Sequence, residues 1–462
     1  MDIRDINREH PEYAARKPMW KQYKDLYAGG EQLRLNASDY LVRRHKEPGE
    51  VYQERLNRVF YENYIGSIID WYAATLFRRE PSVLLAGSDA GAKEFYGAFA
   101  EDCDLKGAAL NEFFRQRFVN MLVSGGSYIV VDFPRSNGRL LTRAEEDRSG
   151  RSRAYLVDYS PDEVINWKYN PAGGLEWAVI RTSCLQQSSG EESRWEKEIR
   201  WIHYDRDTFR IYRKTGEASP VEQIDEGRHG LASLGRVPLF RMQVSDGLWL
   251  MNKSALLQLE HFNKSNALSW ALTMGLFATP VVYSDREWNQ IVGESYYIQL
   301  GPEDRFGWTE PEGKVYQIAA DNLIRLKDEI YRVCYLLSHA WTSSTAEVRQ
   351  SGLSKQRDFS ITQEVLRAYG AVVKDGMKQV LRAIAAARQD GVTIDISGLD
   401  HFDIGDLSEE LDDAKKLLDL GIGSPTLKKQ VFKRLALKYL CEAGQEIKNQ
   451  VAEEIEAASN PE

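Results

Sequence analysis

Leu323, Leu326, Ile330, Val333, Leu337 and Ala340 recur at steps of three and four residues. That heptad seam predicts a helix over 319–340 packed lengthwise on another helix. Arg325, Lys327, Asp328 and Arg332 occupy the opposite face, which should meet water. A mostly uncharged helix is predicted from Ser254 to Ala278, about 37 Å long at 1.5 Å per residue. Its stripe is less regular. Leu256, Leu259 and Phe262 give way to Asn263-Lys264-Ser265-Asn266 before Trp270, Met274 and Phe277 resume it. Thr279-Pro280 breaks this helix into a short excursion with strand character at Val281-Val282-Tyr283 and Tyr296 to Leu300. Glycines 293, 301, 307 and 313 and prolines 302 and 311 make that excursion turn often. A polar loop from Trp341 to Gly352 then leads into a long helix, Ser354 to Arg388. Ser354 reads as its N-cap, and Gly370 and Gly376 as places where it could bend. Two long helices joined by a small insert hold little core of their own. Neighbouring copies of the same chain are the natural support.

The flanks carry a different pattern. A helix is predicted over 18–28, with Pro18 in its first turn and Gly29-Gly30 as its stop. A second runs from Val51 to Arg78 and ends before Pro81. Two more lie within 92–123, followed by a tight turn at Gly125-Gly126 and a strand from Tyr128 to Phe133. That turn has neither GxxxxGK[ST] nor GxGxxG spacing, so it is not a phosphate cradle. Residues 154–158, 164–167, 175–182, 194–204, 208–213 and 237–243 read as an antiparallel β unit, with 187–193 as a solvated hairpin tip bearing Glu191-Glu192. A short strand is expected over 392–396, then a helix capped at Asp406 to Leu411, then a helix opened by Ser424-Pro425, then an acidic tail. The fold class is α+β, mainly helical.

Net charge and cysteine usage narrow the function. The formal charge is -9 and the pI about 5.5, which opposes broad gripping of nucleic acid but suits a wall past which DNA slides. Cys103, Cys184, Cys334 and Cys441 form no CxxC pair and read as free thiols. The N-terminus has no apolar signal-peptide core. The uncharged run Ser265 to Ser284 is too polar for a membrane span. None of the histidines forms a metal-ligand spacing, and His203 reads as a surface residue at a strand end. No catalytic constellation, metal set or cofactor motif appears, and without a Walker A lysine the chain is no ATP-driven motor. The remaining concentration of polar chemistry is the loop after the second long helix and the start of the next, with Glu347, Arg349, Lys355, Arg357 and Asp358.

Helix, small insert, helix, polar loop and long helix, in that order, resembles the stem, clip, stem, tunnel loop and wing helix of tailed-bacteriophage portal proteins, the head-to-tail connector rings. Leu259 to Phe277 followed by Thr279-Pro280-Val281-Val282 looks like the first stem helix entering the clip, and Ala320 to Leu337 like the second. Asn63 and Pro81 fit the family's early wing helix, and Gly235 to Phe240 its pre-stem strand. The likeness is one of layout over most of the chain. It implies a wing at 1–249, a first stem helix at 250–278, a clip at 279–318 and a second stem helix at 319–340. A tunnel loop at 341–353, a long wing helix with connector at 354–405 and a crown at 406–462 complete it.

The implied stem-packing residues are Leu323, Leu326, Ile330, Val333, Leu337, Leu259, Phe262 and Trp270. The implied channel residues are Trp341, Thr342, Ser343, Ser344, Thr345, Glu347, Arg349, Gln350, Lys355 and Arg357, and the clip would dock partners through Tyr296, Tyr297, Arg305, Phe306 and Trp308. The resemblance implies a dodecameric ring at one capsid vertex of the virion, assembled in the host cytoplasm. Its partners would be the terminase large subunit, head-completion or adaptor proteins, major capsid and scaffolding proteins, and double-stranded DNA held weakly and without sequence preference. No membrane and no cofactor is implied. The other readings are a phage-encoded nuclease or glycosidase, separated by mass in solution, and another ring-forming head-tail adaptor, a class usually of smaller chains.

Overall fold

The computed structural model describes residues 5–87, 90–134, 153–187, 195–216, 219–275, 279–284, 302–309, 313–336, 352–399, 414–420, 424–440 and 445–458. The fold mixes helix and sheet, 54% against 22%, which places it on the helical side of α+β. In chain order, α1 (Pro11–Ala28), α2 (Gly30–Leu35), α3 (Gly49–Asn57) and α4 (Tyr64–Leu76) precede β1 (Ser82–Ala86). Then come α5 (Ala90–Glu101), α6 (Leu110–Ser124), β2 (Gly126–Asp132), β3 (Tyr155–Tyr159), β4 (Val164–Tyr169), β5 (Leu175–Gln187), β6 (Trp195–Tyr204), β7 (Thr208–Thr215), β8 (Glu222–Arg228) and β9 (Leu239–Gln243). The remainder is α7 (Leu250–Gly275), β10 (Thr279–Tyr283), β11 (Arg305–Thr309), α8 (Gly313–Val333), α9 (Gly352–Arg388), β12 (Thr393–Ser397), α10 (Pro425–Tyr439) and α11 (Gln445–Ala457). No helix among the described residues is long and apolar enough to cross a membrane. The chain divides into two compact units, residues 1–24, 67–253 and 351–462 in one and 25–66 and 254–350 in the other.

In the first unit, besides the β1–β12 pair, the antiparallel strands form two larger sheets, ordered β3-β2-β9 and β4-β5-β6-β7-β8. Successive residues of β5 explain how both faces of the larger sheet are covered. Ala178 and Ile180 point into a core shared with Tyr128, Val130, Tyr159 and Leu239 of the smaller sheet. Val179, between them, points the other way and packs with Ile6, Tyr13 and Trp20 of the N-terminal segment, together with Ile165, Trp201 and Tyr212. Alternation at a period of two, with apolar residues at both parities, gives a sheet buried on both faces. The expected β unit is therefore split: Leu239 to Gln243 joins β2, and β8, with polar and exposed residues, is an edge strand that hydrophobic pattern did not mark.

The end of α6 shows how tryptophans position chain. Gly125 takes a left-handed φ of 81° and closes the helix through its N–H to Met121 O. The indoles of Trp20 and Trp249 donate to Ser124 O and Val123 O, each at 3.0 Å, and so satisfy two terminal carbonyls. A Cβ on Gly125 would lie 3.0 Å from the Trp249 ring, so the expected tight turn is also a close approach.

Several boundaries differ from the pattern-based expectation. α1 begins at Pro11, which takes the first turn, and Pro18 lies inside the helix. An interior proline removes one helix hydrogen bond, and burial of Tyr13 and Trp20 on either side offsets that loss. The single helix expected from Val51 to Arg78 is two, α3 and α4, separated at 58–63. β1, which carried no strong signal, pairs antiparallel with β12, Ser82 opposite Ser397 and Ala86 opposite Thr393. At the C-terminus the cap expected at Asp406 to Leu411 lies outside the described residues, while residues 414–419 of the helix expected to run on to Leu420 are helical. Ser424 accepts from Leu427 N at 3.3 Å with Pro425 behind it, as the sequence implied. The acidic tail helix α11 packs on β1 and α5, with Lys93 paired to Glu453 and Lys429 donating to Glu456 O at 2.7 Å.

α9 is one continuous helix from Gly352, so Ser354 lies within it and is not its N-cap. Gly370 and Gly376 are sites of close approach rather than bends. A Cβ at Gly370 would sit 1.8 Å from Leu399 O, which is backbone, whereas one at Gly376 would meet Met242 Cγ at 2.7 Å, which is a flexible side chain. Nearby, Tyr369 packs edge-on against Tyr72 and Phe118 at 5.6 and 5.3 Å and donates to Leu248 O at 2.6 Å. Gly370→Ala should therefore destabilise by about 3 kcal/mol or more and Gly376→Ala by about 1 kcal/mol. Urea unfolding of both variants checks this, and equal losses would contradict the distinction.

Candidate functional site

Most of the residues the sequence singled out fall within the second unit, where α7 and α8 are joined through β10 and β11, while Lys355 and Arg357 belong to the first. β10 pairs antiparallel with β11, Thr279 opposite Thr309 and Tyr283 opposite Arg305. The register continues into the helices. Tyr316 OH donates to Ala271 O at 3.4 Å, and Lys264 Nζ donates to Asn322 Oδ1 at 3.0 Å. Helix, two-stranded hairpin and helix thus form one antiparallel excursion. The strand expected at Tyr296 to Leu300 lies outside the described residues, and the partner of β10 is Arg305–Thr309 instead.

α8 starts at Gly313 and ends at Val333, whereas the seam predicted 319–340. Tyr335 takes a φ of 63°, a left-handed conformation that cannot continue the helix. Leu326 and Ile330 are buried, as the seam requires, and Cys334 continues it, while Leu323 and Val333 are half-buried. On α7, Phe262 is fully buried and meets Tyr61 edge-on at 6.0 Å; Leu259 and Trp270 are half-buried, with the Arg58 guanidinium 5.8 Å from the Trp270 ring. Arg305 is exposed and Phe306 half-buried on β11. Trp308 belongs to β11, and Lys355 and Arg357 to α9, but their side chains lie outside the described residues. Leu337, Tyr296, Tyr297, Trp341, Thr342, Ser343, Ser344, Thr345, Glu347, Arg349 and Gln350 lie outside them as well.

What sequence reasoning missed is the use made of the irregular polar face of α7. Three of its amide side chains bind the backbone of the non-helical strap around α3, each with both ends. Asn263 accepts from Val42 N at 2.8 Å and donates to Tyr40 O at 3.1 Å. Asn266 accepts from Phe60 N at 3.1 Å and donates to Phe60 O at 2.9 Å. Gln258 accepts from Ile65 N at 3.3 Å and donates to Glu62 O at 2.8 Å. Asn63 completes the break before α4, accepting from Gly66 N and donating to Tyr27 O. The interruption of the α7 stripe at Asn263-Lys264-Ser265-Asn266 was the available signal.

Among the described residues of this unit, the buried carboxylates and guanidinium have partners. Arg55 bonds both oxygens of Glu47, at 2.9 and 2.8 Å, with both side chains buried. The carboxylate of Asp25 accepts from Tyr40, Asn36 and Gln32 at 2.6, 3.0 and 2.9 Å. Burial, then the Asp25 carboxylate, pushes the Tyr40 phenol far up from its ordinary range. His261 of α7 is buried 3.6 Å from Glu62 and edge-on to Tyr64 at 5.1 Å; its Nδ1 meets no hydrogen-bond partner among the described residues. Burial holds its pKa below the ordinary value against the pull of Glu62, and Lys327 pushes the same way as burial.

In the first unit His203 is buried rather than on the surface, and desolvation pushes it down to about 4. Among the described residues, no group of three or more His, Cys, Asp or Glu is placed to hold a metal ion. Cys103, Cys184 and Cys334 are free thiols, and Cys441 lies outside the described residues.

No protein-family model matches this sequence, and no curated protein does. Among solved structures, it is similar to a chain in the neck of an empty gene transfer agent particle computed with C6 symmetry. The TM-score is 0.43 and the identity 11%, over 78% of this chain and 87% of that one. It is also similar to a chain in the virion of a native gene transfer agent particle, at a TM-score of 0.40 and 12% identity, over 85% of this chain and 94% of that one. Likenesses at these scores assign neither fold nor function.

Two measurements test this arrangement. Asn266→Ala leaves the Phe60 backbone unpaired on both sides and should cost about 1–3 kcal/mol, with faster amide exchange confined to 58–66; unchanged exchange there would remove the clamp. The histidines supply a pH signature. Buried neutral in the folded state, His261 and His203 take up protons more readily unfolded, so stability is complete above about 6.5 and falls as pH drops below it. Urea midpoints from pH 7.5 to 5 should decline, and His261→Gln should flatten part of that decline.

Proposed function

We propose that this chain is the repeating subunit of a portal ring, a collar of about twelve copies at one capsid vertex through which double-stranded DNA is packaged and ejected. The observation that carries the reading is the antiparallel excursion α7, β10, β11, α8, followed in sequence by the long helix α9, together with apolar residues left in water along it. Leu256 is 76% exposed, Val315 63% and Ile318 60%. Isolated apolar residues on a surface are ordinary, but their recurrence on the two helices whose layout matches a stem supports packing against further copies. A heterologous contact whose rotation closes makes a ring.

On this reading α7 and α8 line the channel, 341–353 forms the loop nearest the DNA, and the β10–β11 end docks the terminase large subunit and later head-completion proteins. Capsid and scaffolding proteins surround the rest. The charge of -9 suits the task, since DNA must slide without sticking. The chain is structural and conductive, with no chemistry of its own to perform.

Mass in solution and a negative-stain image down the axis test this directly. A particle many times 52.8 kDa with a central hole is expected, and a monomer at every concentration and salt would end the proposal. Leu256→Asp and Ile318→Asp should leave monomer stability within about 0.5 kcal/mol of the parent while lowering assembly. Ile330→Asp, at a fully buried position, should cost several kcal/mol of stability instead. Double-stranded DNA should bind at physiological salt only weakly and without sequence preference; nanomolar affinity would mean a DNA-binding protein rather than a conduit.

A further inference from the structure

Two bonds fix how α7 and α8 stand beside each other. Lys264 reaches Asn322 and Tyr316 reaches the carbonyl of Ala271, and the two place the helices in the same register to within one residue. At 1.5 Å per residue, each position of one helix then has a counterpart at its own height on the other. Besides the seam that joins them, both helices carry a second stripe. On α7 it is Glu260, Lys264, Ala267 and Ala271, spaced by four, three and four residues. On α8 it is Arg325, Asp321, Ile318 and Lys314, with the same spacings counted towards the N-terminus. Residues three and four apart share one side of a helix, so each set lies on one face. The stripes match in height throughout: Glu260 with Arg325, Lys264 with Asp321, Ala267 with Ile318 and Ala271 with Lys314, each within about 3 Å.

Within one copy the stripes do not meet. Glu260 and Lys264 are exposed and pair with each other at 2.9 Å. Arg325, Asp321, Ile318 and Lys314 are all exposed, and Arg325 enters no ion pair among the described residues. The signs are complementary, since the acid of each stripe is level with a base of the other, and the bulky Ile318 is level with the small Ala267. Apart from Lys253, Glu260 and Lys264 carry the formal charge of α7. Their place on this stripe is therefore not the by-product of a generally charged helix.

We propose that the α7 stripe of one copy packs against the α8 stripe of the next, with Glu260 on Arg325, Lys264 on Asp321 and Ile318 over Ala267. The occupant is a second copy because the match is one of register as well as sign. Rotation about an axis that runs along the stem keeps every residue at its own height, so levels set inside a copy carry over to the contact between copies. Neighbouring α7 and α8 then run antiparallel, as the reversed spacings require. The four charges alternate in sign around a square, and a network of this kind outweighs isolated surface pairs. The two sides of the contact are different surfaces, the condition for a heterologous interface that can close. The inference rests on the ring reading and deepens it by naming which faces of the stem meet.

Charge reversal in the full-length chain tests it, with particle mass against protein concentration as the readout. Glu260→Lys and Arg325→Glu should each raise the concentration at half-assembly about tenfold or more, since like charges then face one another. Combined, they should bring it back near the parent value. Glu260→Lys with Lys264→Glu keeps the pair inside α7 but opposes the neighbour's Asp321 and Arg325, so it should weaken assembly as the single reversals do. All these positions are exposed, and thermal melting of the subunit should be kept. Rings whose assembly is indifferent to the single reversals, or is not restored by the double, would overturn the pairing and leave the ring standing. An α7 swap that assembles like the parent would also overturn it, because α7 would then face α7. Restoration by the double in particles that lack a central channel would keep the contact and remove the portal reading. A monomer under all conditions would overturn both.

Discussion

Backbone that leaves a helix must still find hydrogen-bond partners, and in the second unit those partners are side chains of α7. Asn263, Asn266 and Gln258 each present a donor and an acceptor to backbone groups of the strap at Tyr40, Val42, Phe60, Glu62 and Ile65. A buried peptide group left unpaired costs as much as a lost hydrogen bond or more. Three amides used at both ends therefore determine where the strap runs, where α3 stops and where α4 starts. They also determine that α7 cannot be apolar along its whole length. The polar interruption that makes the helix look imperfect as a packing element is what allows an irregular segment to be buried against it.

That explains which parts of the fold were legible in sequence and which were not. Local chemistry read well: the Ser424-Pro425 helix start, the Gly29 stop, the glycine turn after α6 and the strands from β3 to β7 follow from patterns a few residues wide. The heptad on α8 identified its buried face at Leu326 and Ile330, but not its ends, because helix ends depend on backbone conformation at Tyr335 and on what lies beyond Gly313. The break at 58–63 was invisible because its cause lies some two hundred residues downstream, in Gln258 and Asn266. Gly370 and Gly376 illustrate the same limit. A glycine in a helix lowers helix propensity whatever its surroundings, and only tertiary structure shows that Leu399 and Met242 occupy the space a side chain would need. Of the candidate site, the stem faces were partly legible, and the amide clamp was seen only as noise in a stripe.

The two units solve the burial problem by different chemistry. In the first, a sheet with apolar residues at both parities is covered on both faces, by a second sheet and by the N-terminal segment. In the second, helices are joined to a strap largely through polar groups that satisfy one another, with a buried Arg55–Glu47 pair and a three-donor carboxylate at Asp25. Polar networks of this kind depend strongly on geometry: intact, they specify one arrangement, and a single missing member leaves several groups unpaired. Apolar side chains are then left over on the helix exteriors, available to other molecules.

The pairing of β1 with β12 has a consequence for the order in which the molecule can be made. Ser82 and Ser397 are neighbours in the sheet but on the order of 300 residues apart in the chain. At about 5–20 residues per second, a ribosome needs roughly 15–60 s to deliver β12 after β1 has emerged. Throughout that interval β1 is an unpaired edge with Val83 and Leu85 uncovered, and α11, which also packs on it, arrives later still. A nascent chain thus cannot complete the first unit while it is still short of β12. A product that stops short of β12 is left without the strand that pairs with β1.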